Sequence, residues 1–307
     1  MKTWIIPYVD QPPTFWEEIS NQFGEHIRSV YFPMPRDVIA SGRPPQPNSF
    51  MDSFLRCSLP KTVLVNPVVL PQAAEQVAPA IIDMLKRLYD DYGINSVTVA
   101  NAILARLVKE ALPRFRVGAS ILMGIYTPAQ VLMVQEFVDS IVLDNRLLRD
   151  LRGMHRMRHT YAGEICLIVN EACLPGCVHR TQHFYEMGYS DTAPLSLCQQ
   201  TLDEMPWLRL TGAWILPQHL HYYDGLYDTL KLAGRVTLRD PARYFQVLDE
   251  YIERKNALPN KIGGGPASPL DPIHISDAFF EKILHCDKNC LLCATCRNYY
   301  QAALQQE

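Results

Sequence analysis

Cys286, Cys290, Cys293 and Cys296 read C-x3-C-x2-C-x2-C, four thiols within eleven residues near the end of the chain. A thiolate is the soft ligand that holds zinc in a tetrahedron or builds an iron–sulfur cluster. Four of them this crowded can wrap a single compact centre. The spacing points to metal and leaves the metal open: a 4Fe–4S cluster, or zinc as the alternative for these four cysteines.

A second group lies in VNEACLPGCVHRTQHFYEM, Val169 to Met187. Cys173 and Cys177 stand four apart there, and Cys198 falls in the same long loop. Three thiols could supply most of a cluster, with a fourth ligand from elsewhere. His179, Arg180 and His183 follow at once. A guanidinium such as Arg180 matches a carboxylate bidentately, and His183 can carry a proton near neutral pH. Lys231 and Arg235 close a later apolar run, where a pair of cations would hold an anionic co-substrate or cofactor. Asn170 stands at the end of the run that leads into Cys173, where its amide would orient a substrate. Cys166, inside a run, and Cys57, in a proline-flanked loop, read as packing residues.

Such residues need a frame. Eight short β-branched runs recur, each ending in a small or polar residue: Trp4–Val9, Ser29–Pro35, Thr62–Asn66, Ser96–Asn101, Phe115–Ser120, Ser140–Asn145, Ile165–Asn170 and Asp228–Arg235. Most lie about 20 to 35 residues apart, the rhythm of βα units. Helical segments fit between them: Ala73–Gly93 stops at a glycine, and Thr127-Pro128 reads as an N-cap followed by proline at the first helical position. Eight units predict a closed (β/α)8 TIM-like barrel, whose active site gathers at the carboxyl ends of the strands. Those ends hold Asn66, Asn101, Ser120, Asp144, Asn145, Asn170 and Arg235. The bland role for each is a helix cap.

Ala40–Phe50 is proline-rich and reads as a loop. Asn260–Pro272 is a Gly/Pro linker, followed by an amphipathic helix, Ile275–Leu284, and the cysteines. The expected organisation is a barrel over residues 1–259 and a linker, short helix and metal-binding tail over 260–307. The 307 residues are 48% hydrophobic and 20% charged with a net charge of −3, a soluble composition. RNA as a partner is not indicated by that balance. No run approaches the ~20 apolar residues of a membrane helix, and the N-terminus lacks a signal-peptide core. Seven of the nine cysteines follow residue 172. Without a secretory signal, clustered cysteines point to a reducing cytoplasm and to metal or catalysis more than to disulfides.

Three stretches resemble the U32 group, often called peptidase U32 or collagenase-like protease. WILPQHLHYYDGLYDTLKLAGR, ending in Lys231-Leu232-Ala233-Gly234-Arg235, is similar to its NPxDL segment and DSLKIEGR turn. FVDSIVLDNRLLRDL is similar to its GxDxxVxxxEL strand and helix. LIVNEACLPGCVHRTQHF, with the cysteine-rich end, resembles a branch that pairs such a segment with a C-terminal cluster. The resemblance runs from about Ser96 onward. It implies a TIM-like barrel that binds an iron–sulfur cluster, with Cys173, Cys177 and Cys198 matching cluster cysteines. It also implies oxygen-independent hydroxylation of RNA or of a quinone ring, with prephenate as oxygen donor in some members and a homologous partner subunit in others. This chain departs from the group in having NEACLPGC for the usual GxLC…GxC, and in its added four-cysteine tail.

Three other readings compete with an iron–sulfur hydroxylase. The first is a U32-type peptidase, although neither HExxH nor GxSxG is present and only a pair such as Cys177 and His183 suggests a nucleophile and base. The second is a non-catalytic cluster-bearing partner. The third is a radical-SAM-like enzyme, for which Cys286-x3-Cys290-x2-Cys293 has the right spacing at the wrong end of the chain.

Overall fold

The computed structural model describes residues 3–40, 48–171, 173–189, 197–234, 237–258, 273–290 and 292–305. Eight parallel strands close into a barrel in sequence order: β1 (Trp4–Pro7), β2 (Ile27–Pro33), β3 (Lys61–Val65), β4 (Ser96–Val99), β5 (Arg116–Ala119), β6 (Ser140–Val142), β7 (Glu164–Ile168) and β8 (Thr229–Lys231). Trp4 pairs with Leu230 to shut the ring. All eight expected strands are present, so this is the (β/α)8 architecture.

Helices follow the strands: α1 (Pro13–Phe23), α2 (Asn48–Arg56), α3 (Ala74–Tyr92), α4 (Ala102–Ala111), α5 (Pro128–Leu132), α6 (Leu151–Thr160), α7 (Arg180–Tyr189), α8 (Leu197–Glu204), α9 (Pro241–Ile252), α10 (Asp277–Leu284) and α11 (Thr295–Leu304). Their ends obey local chemistry. Gly93 stops α3 with φ at 65°, a left-handed turn that costs glycine little. Thr127 and Gln130 form a reciprocal capping box at α5. Ser276 caps α10. The stretch expected as loop to Phe50 ends earlier, because α2 begins at Asn48. The linker at 260–272 lies outside the described residues.

Period-2 alternation sorts the strand side chains between two cores. Val30, Val63, Val97, Val117, Ile141, Ile165 and Leu230 belong to the large cluster that includes the helices. The intervening positions form a second group, in which Val142, Cys166 and Ile168 pack with Ile5. This second set includes polar groups. Thr62 Oγ1 donates to Ser29 Oγ at 3.0 Å and lies 3.1 Å from Ser96 Oγ. Lys231, 7% exposed, places Nζ 4.2 Å from the Tyr31 ring centre, a cation–π contact.

The end of the chain packs on the barrel. Phe279, Phe280, Ile283 and Leu284 of α10 are buried in the same large cluster as the strands. Among the described residues no helix is long and apolar enough to cross a membrane.

Candidate functional site at the carboxyl ends of the strands

The strand-end residues divide between capping and site-building. Asn101 accepts from Leu104 N at 2.9 Å and Ser120 from Leu122 N at 3.3 Å; both are caps. Asn170, fully buried, pairs its amide with the backbone of Ala233: Nδ2 donates to the carbonyl at 2.9 Å and Oδ1 accepts from the amide at 2.7 Å. The side chain thereby extends the β7–β8 ladder past its last residues. Asn66 Oδ1 is buried with no hydrogen-bond partner. Arg235 lies outside the described residues.

Asp144 organises the mouth beside β6. Its carboxylate is 2% exposed and receives Arg146 Nε at 2.8 Å, Arg146 Nη2 at 3.1 Å and Arg180 Nη1 at 3.2 Å. It also accepts from Arg146 N at 2.9 Å, capping a short 3-10 turn at Asn145–Leu147. Arg180 Nη1 lies 3.3 Å from Asn145 Oδ1, while Arg180 Nη2 and Asn145 Nδ2 are buried donors with no partner. Arg180 was read as an anion clamp. The fold engages one arm of its fork with Asp144 and leaves the other unsatisfied. Orphaned buried donors are uncommon and mark places where a ligand or water is accommodated. Glu171, 5% exposed at the end of β7, leaves Oε2 unpartnered.

The thiols after β7 occupy two elements. Cys177 N bonds to Leu174 O at 3.2 Å, and Arg180 N to Cys177 O at 3.1 Å, so Cys177 sits in the turn that starts α7. Cys173 is exposed and Cys177 half-buried. Cys198, expected in the same loop, lies in α8. His183, half-buried in α7, has its ring centre 6.0 Å from that of Phe184. The turn reaches the Asp144 site: a Cβ on Gly176 would stand 4.0 Å from Arg146 Cδ.

The tail also touches this segment, through Lys288. Lys288 Nζ donates to Arg146 O at 3.0 Å. Lys288 itself has φ at 62°, which costs a side-chain-bearing residue about 1 kcal/mol. That conformation lets its N–H reach Cys286 Sγ at 3.3 Å. Cys296, packed against the core, has its thiol pushed up to about 12, first by burial and then by Cys286, Cys290 and Cys293. Burial, Cys286 and Cys293 likewise raise Cys290. Hydrogen bonding to Thr295 lowers Cys293. Cys286, Cys290 and Cys293 thus lie near enough to Cys296 to disfavour its thiolate, as neighbouring thiols do until a cation joins them. Among the described residues, no three Cys, His, Asp or Glu side chains are arranged to hold an ion as they stand.

Two further residues complete this face, and neither stood out in the sequence. Arg149 is 4% exposed. It donates to the carbonyls of Gly212 at 3.1 Å and Trp214 at 2.5 Å. His219 is fully buried and stacks on Phe280 with ring centres 3.9 Å apart. Its Nε2 lies 3.2 Å from exposed Asp277 Oδ1 without the alignment of a hydrogen bond. Burial lowers the imidazole to about 4, against a smaller opposing pull from Asp277. The unfolded chain then binds this proton at a higher pH than the folded one. Stability is full above pH ~6.5 and should fall by about 3 kcal/mol from this group as pH drops towards 4. Denaturation midpoints measured between pH 7 and 4 should lose that slope in His219→Phe. An unchanged slope assigns the acid sensitivity to other groups.

A (β/α)8 barrel with a cysteine-rich extension docked at its mouth is the class that fold and site define. No protein-family model matches the chain. An uncharacterized protease of Methanocaldococcus jannaschii, MJ1657, is 26% identical over 151 residues, 47% of this chain and 45% of that protein. The match thus spans less than half the length of that relative. Among solved structures, the U32 peptidase Mk0906 superposes at a TM-score of 0.56 with 13% identity, covering 76% of this chain and 92% of that one. A Proteus mirabilis N-acetylneuraminate lyase reaches a TM-score of only 0.37 at 10% identity, over 99% of this chain and 98% of that one. The U32 resemblance read from the sequence is borne out.

Proposed function

We propose that this chain is an iron–sulfur-dependent, oxygen-independent hydroxylase or related modifying enzyme of the U32 type. The observation that carries the reading is the shared neighbourhood of Cys286, Cys290, Cys293 and Cys296, tied to the Asp144 mouth through Lys288 and Arg146. These four would hold a 4Fe–4S cluster, or zinc, and Cys173, Cys177 and Cys198 would furnish ligands from the β7 side. When bound, such a centre would supply electron transfer or Lewis-acid chemistry. The protein's own part is electrostatic. Arg180 Nη2 and Asn145 Nδ2 offer unsatisfied donors to a small anionic co-substrate. Lys231 and Arg235 would add charge from the β8 side, His183 would move a proton, and Asn170 would fix the β7–β8 edge against which substrate lies. A dry wall strengthens each contact. A reducing cytoplasm suits exposed cluster ligands, and a homologous partner subunit or an RNA substrate belongs to the same reading.

The names of the two similar proteins, a protease and a U32 peptidase, favour hydrolysis as a second reading. Anaerobic purification of the full chain, followed by iron, sulfide and zinc analysis, tests the first. About four irons with four sulfides per chain are expected for a single cluster; one zinc and no iron would mark the tail as a tetrahedral zinc site and count against the iron–sulfur mechanism. Protein without stoichiometric metal, or peptide hydrolysis that survives metal removal, overturns the hydroxylase reading and favours the hydrolase.

A further inference from the structure

We infer that Lys231 is a nucleophilic amine that condenses with the carbonyl group of a small oxo acid held at the strand-end mouth. The inference rests on the reading of the Asp144 mouth as an anion site, and not on the cysteine tail. Lys231 is the last residue of β8 and 7% exposed. Its strand partners are Ile168 on one side and Ile5 on the other. Both belong to the inner apolar group with Ile121, Val142 and Cys166. An ammonium among such side chains has lost most of its hydration, which penalises the charged form. The Tyr31 ring, 4.2 Å from Nζ, returns part of that cost. A lysine in such a wall reacts through its neutral form, which carries the lone pair.

Strand register puts the anion site on the same rung. Val142 pairs with Cys166, and Leu143 N bonds to Cys166 O at 3.0 Å, which brings Asp144 level with Ile168. Ile168 in turn pairs with Lys231. Asp144 and Lys231 therefore flank β7 at one height, roughly 10 Å apart from two strand spacings. Asp144 is one carboxylate against two guanidiniums, Arg146 and Arg180. That group is net positive, so it disfavours a second cation across the rung and favours a ligand carboxylate. Arg180 Nη2 and Asn145 Nδ2 are its unsatisfied donors. A ligand whose carboxylate takes those donors turns its other end towards Lys231, across Ile168. The ammonium helps to draw the anion in; once its proton is shed, the same group reacts. Nζ adds its lone pair to the carbonyl carbon, and the carbonyl π pair moves to oxygen. The carbinolamine then loses that oxygen as water, together with both amine hydrogens, and leaves a C=N bond to Lys231. The imine withdraws electrons from the adjoining carbon, which eases bond making or breaking there.

The test is reductive trapping on the full chain as purified, near neutral pH. Three probes separate the parts: glyoxylate has a carbonyl and a carboxylate, acetaldehyde lacks the carboxylate, and glycolate lacks the carbonyl. After treatment with glyoxylate and cyanoborohydride, lysine adducts are mapped by peptide mass spectrometry. Lys231 should be modified at least ~10-fold faster than exposed lysines such as Lys86 and Lys255, since an amine in water is almost wholly protonated at that pH. Arg180→Gln should slow labelling of Lys231 by glyoxylate about 10-fold, the loss of a charged anion contact, and leave labelling by acetaldehyde unchanged. Lys231→Arg keeps the cation and should still bind glycolate, with no adduct at residue 231. Labelling of Lys231 no faster than of the exposed lysines overturns the inference. So does labelling that is equal for the two aldehydes and indifferent to Arg180→Gln, because the acid is then not held at that mouth. Glycolate binding that Arg180→Gln abolishes, without any adduct at Lys231, sinks the inference alone and leaves the anion site standing. Neither glycolate binding nor an adduct sinks both. Should a variant fail to fold, the wild-type map with the two aldehydes decides.

Discussion

Replacing Cys290 and Cys293 together by serine should leave the barrel folded and strip the tail of metal. Both side chains are exposed, so their truncation removes no core packing and should change stability by less than about 0.5 kcal/mol. A neutral hydroxyl is a poor substitute for a thiolate at a soft metal, and two lost ligands open the site to water. Metal affinity should fall at least ~100-fold, the upper end of what loss of a mere supporting residue produces, with activity falling in step. Metal analysis by mass spectrometry and a thermal melt check both halves. Cys57→Ala is the control, since that thiol is buried in the large core, and it should keep wild-type metal content. The double variant Cys173→Ala with Cys177→Ala reports on the β7 turn: a shared ligand set loses metal, and a turn that only packs does not. Wild-type metal content in the double-serine chain would sink the tail as a ligand set.

Asp144→Ala should destabilise the protein by about 3 kcal/mol, the low end of the cost of breaking a buried ion pair by deleting one partner. The carboxylate is 2% exposed, whereas Arg146 and Arg180 are 34% and 16% exposed. The stranded cations can partly recover water, which argues for the low end. Asp144→Asn keeps an acceptor for the Arg146 amide and loses the charge, so it should fall between Ala and wild type. Urea midpoints read these differences. A loss under about 0.5 kcal/mol would place the Asp144 pairs among surface ion pairs of little net worth. The substitution also releases Arg180 from its fixed pose, so affinity for an anionic co-substrate should weaken even where the fold survives.

The eight strands were legible because strand faces obey a period of two and every outer position must meet a helix. The stops were legible too. Gly93, Thr127 with Pro128, and Asn101 act within a few residues of themselves, and so a local pattern is enough to find them. The cysteine spacing suggests a soft-ligand set, an expectation that metal analysis tests; among the described residues no three potential ligands are arranged to hold an ion.

The tertiary structure decided the partners. Arg149 reads in sequence as one more basic residue before a helix, and contacts 63 to 131 residues away bury it. Asn170 was expected to face a substrate; it pairs with Ala233, 63 residues on, because the last strands run out of backbone partners there. Arg180 was read by its chemistry, but Asp144, 36 residues earlier, determines how much of its fork remains to bind anything. His219 carries no local signal of burial; Phe280, 61 residues on, stacks over it. Residue type and near spacing determine which chemistry a chain can carry. Which groups are dry, charged and facing one another depends on loops closing across the barrel, and no local pattern encodes that.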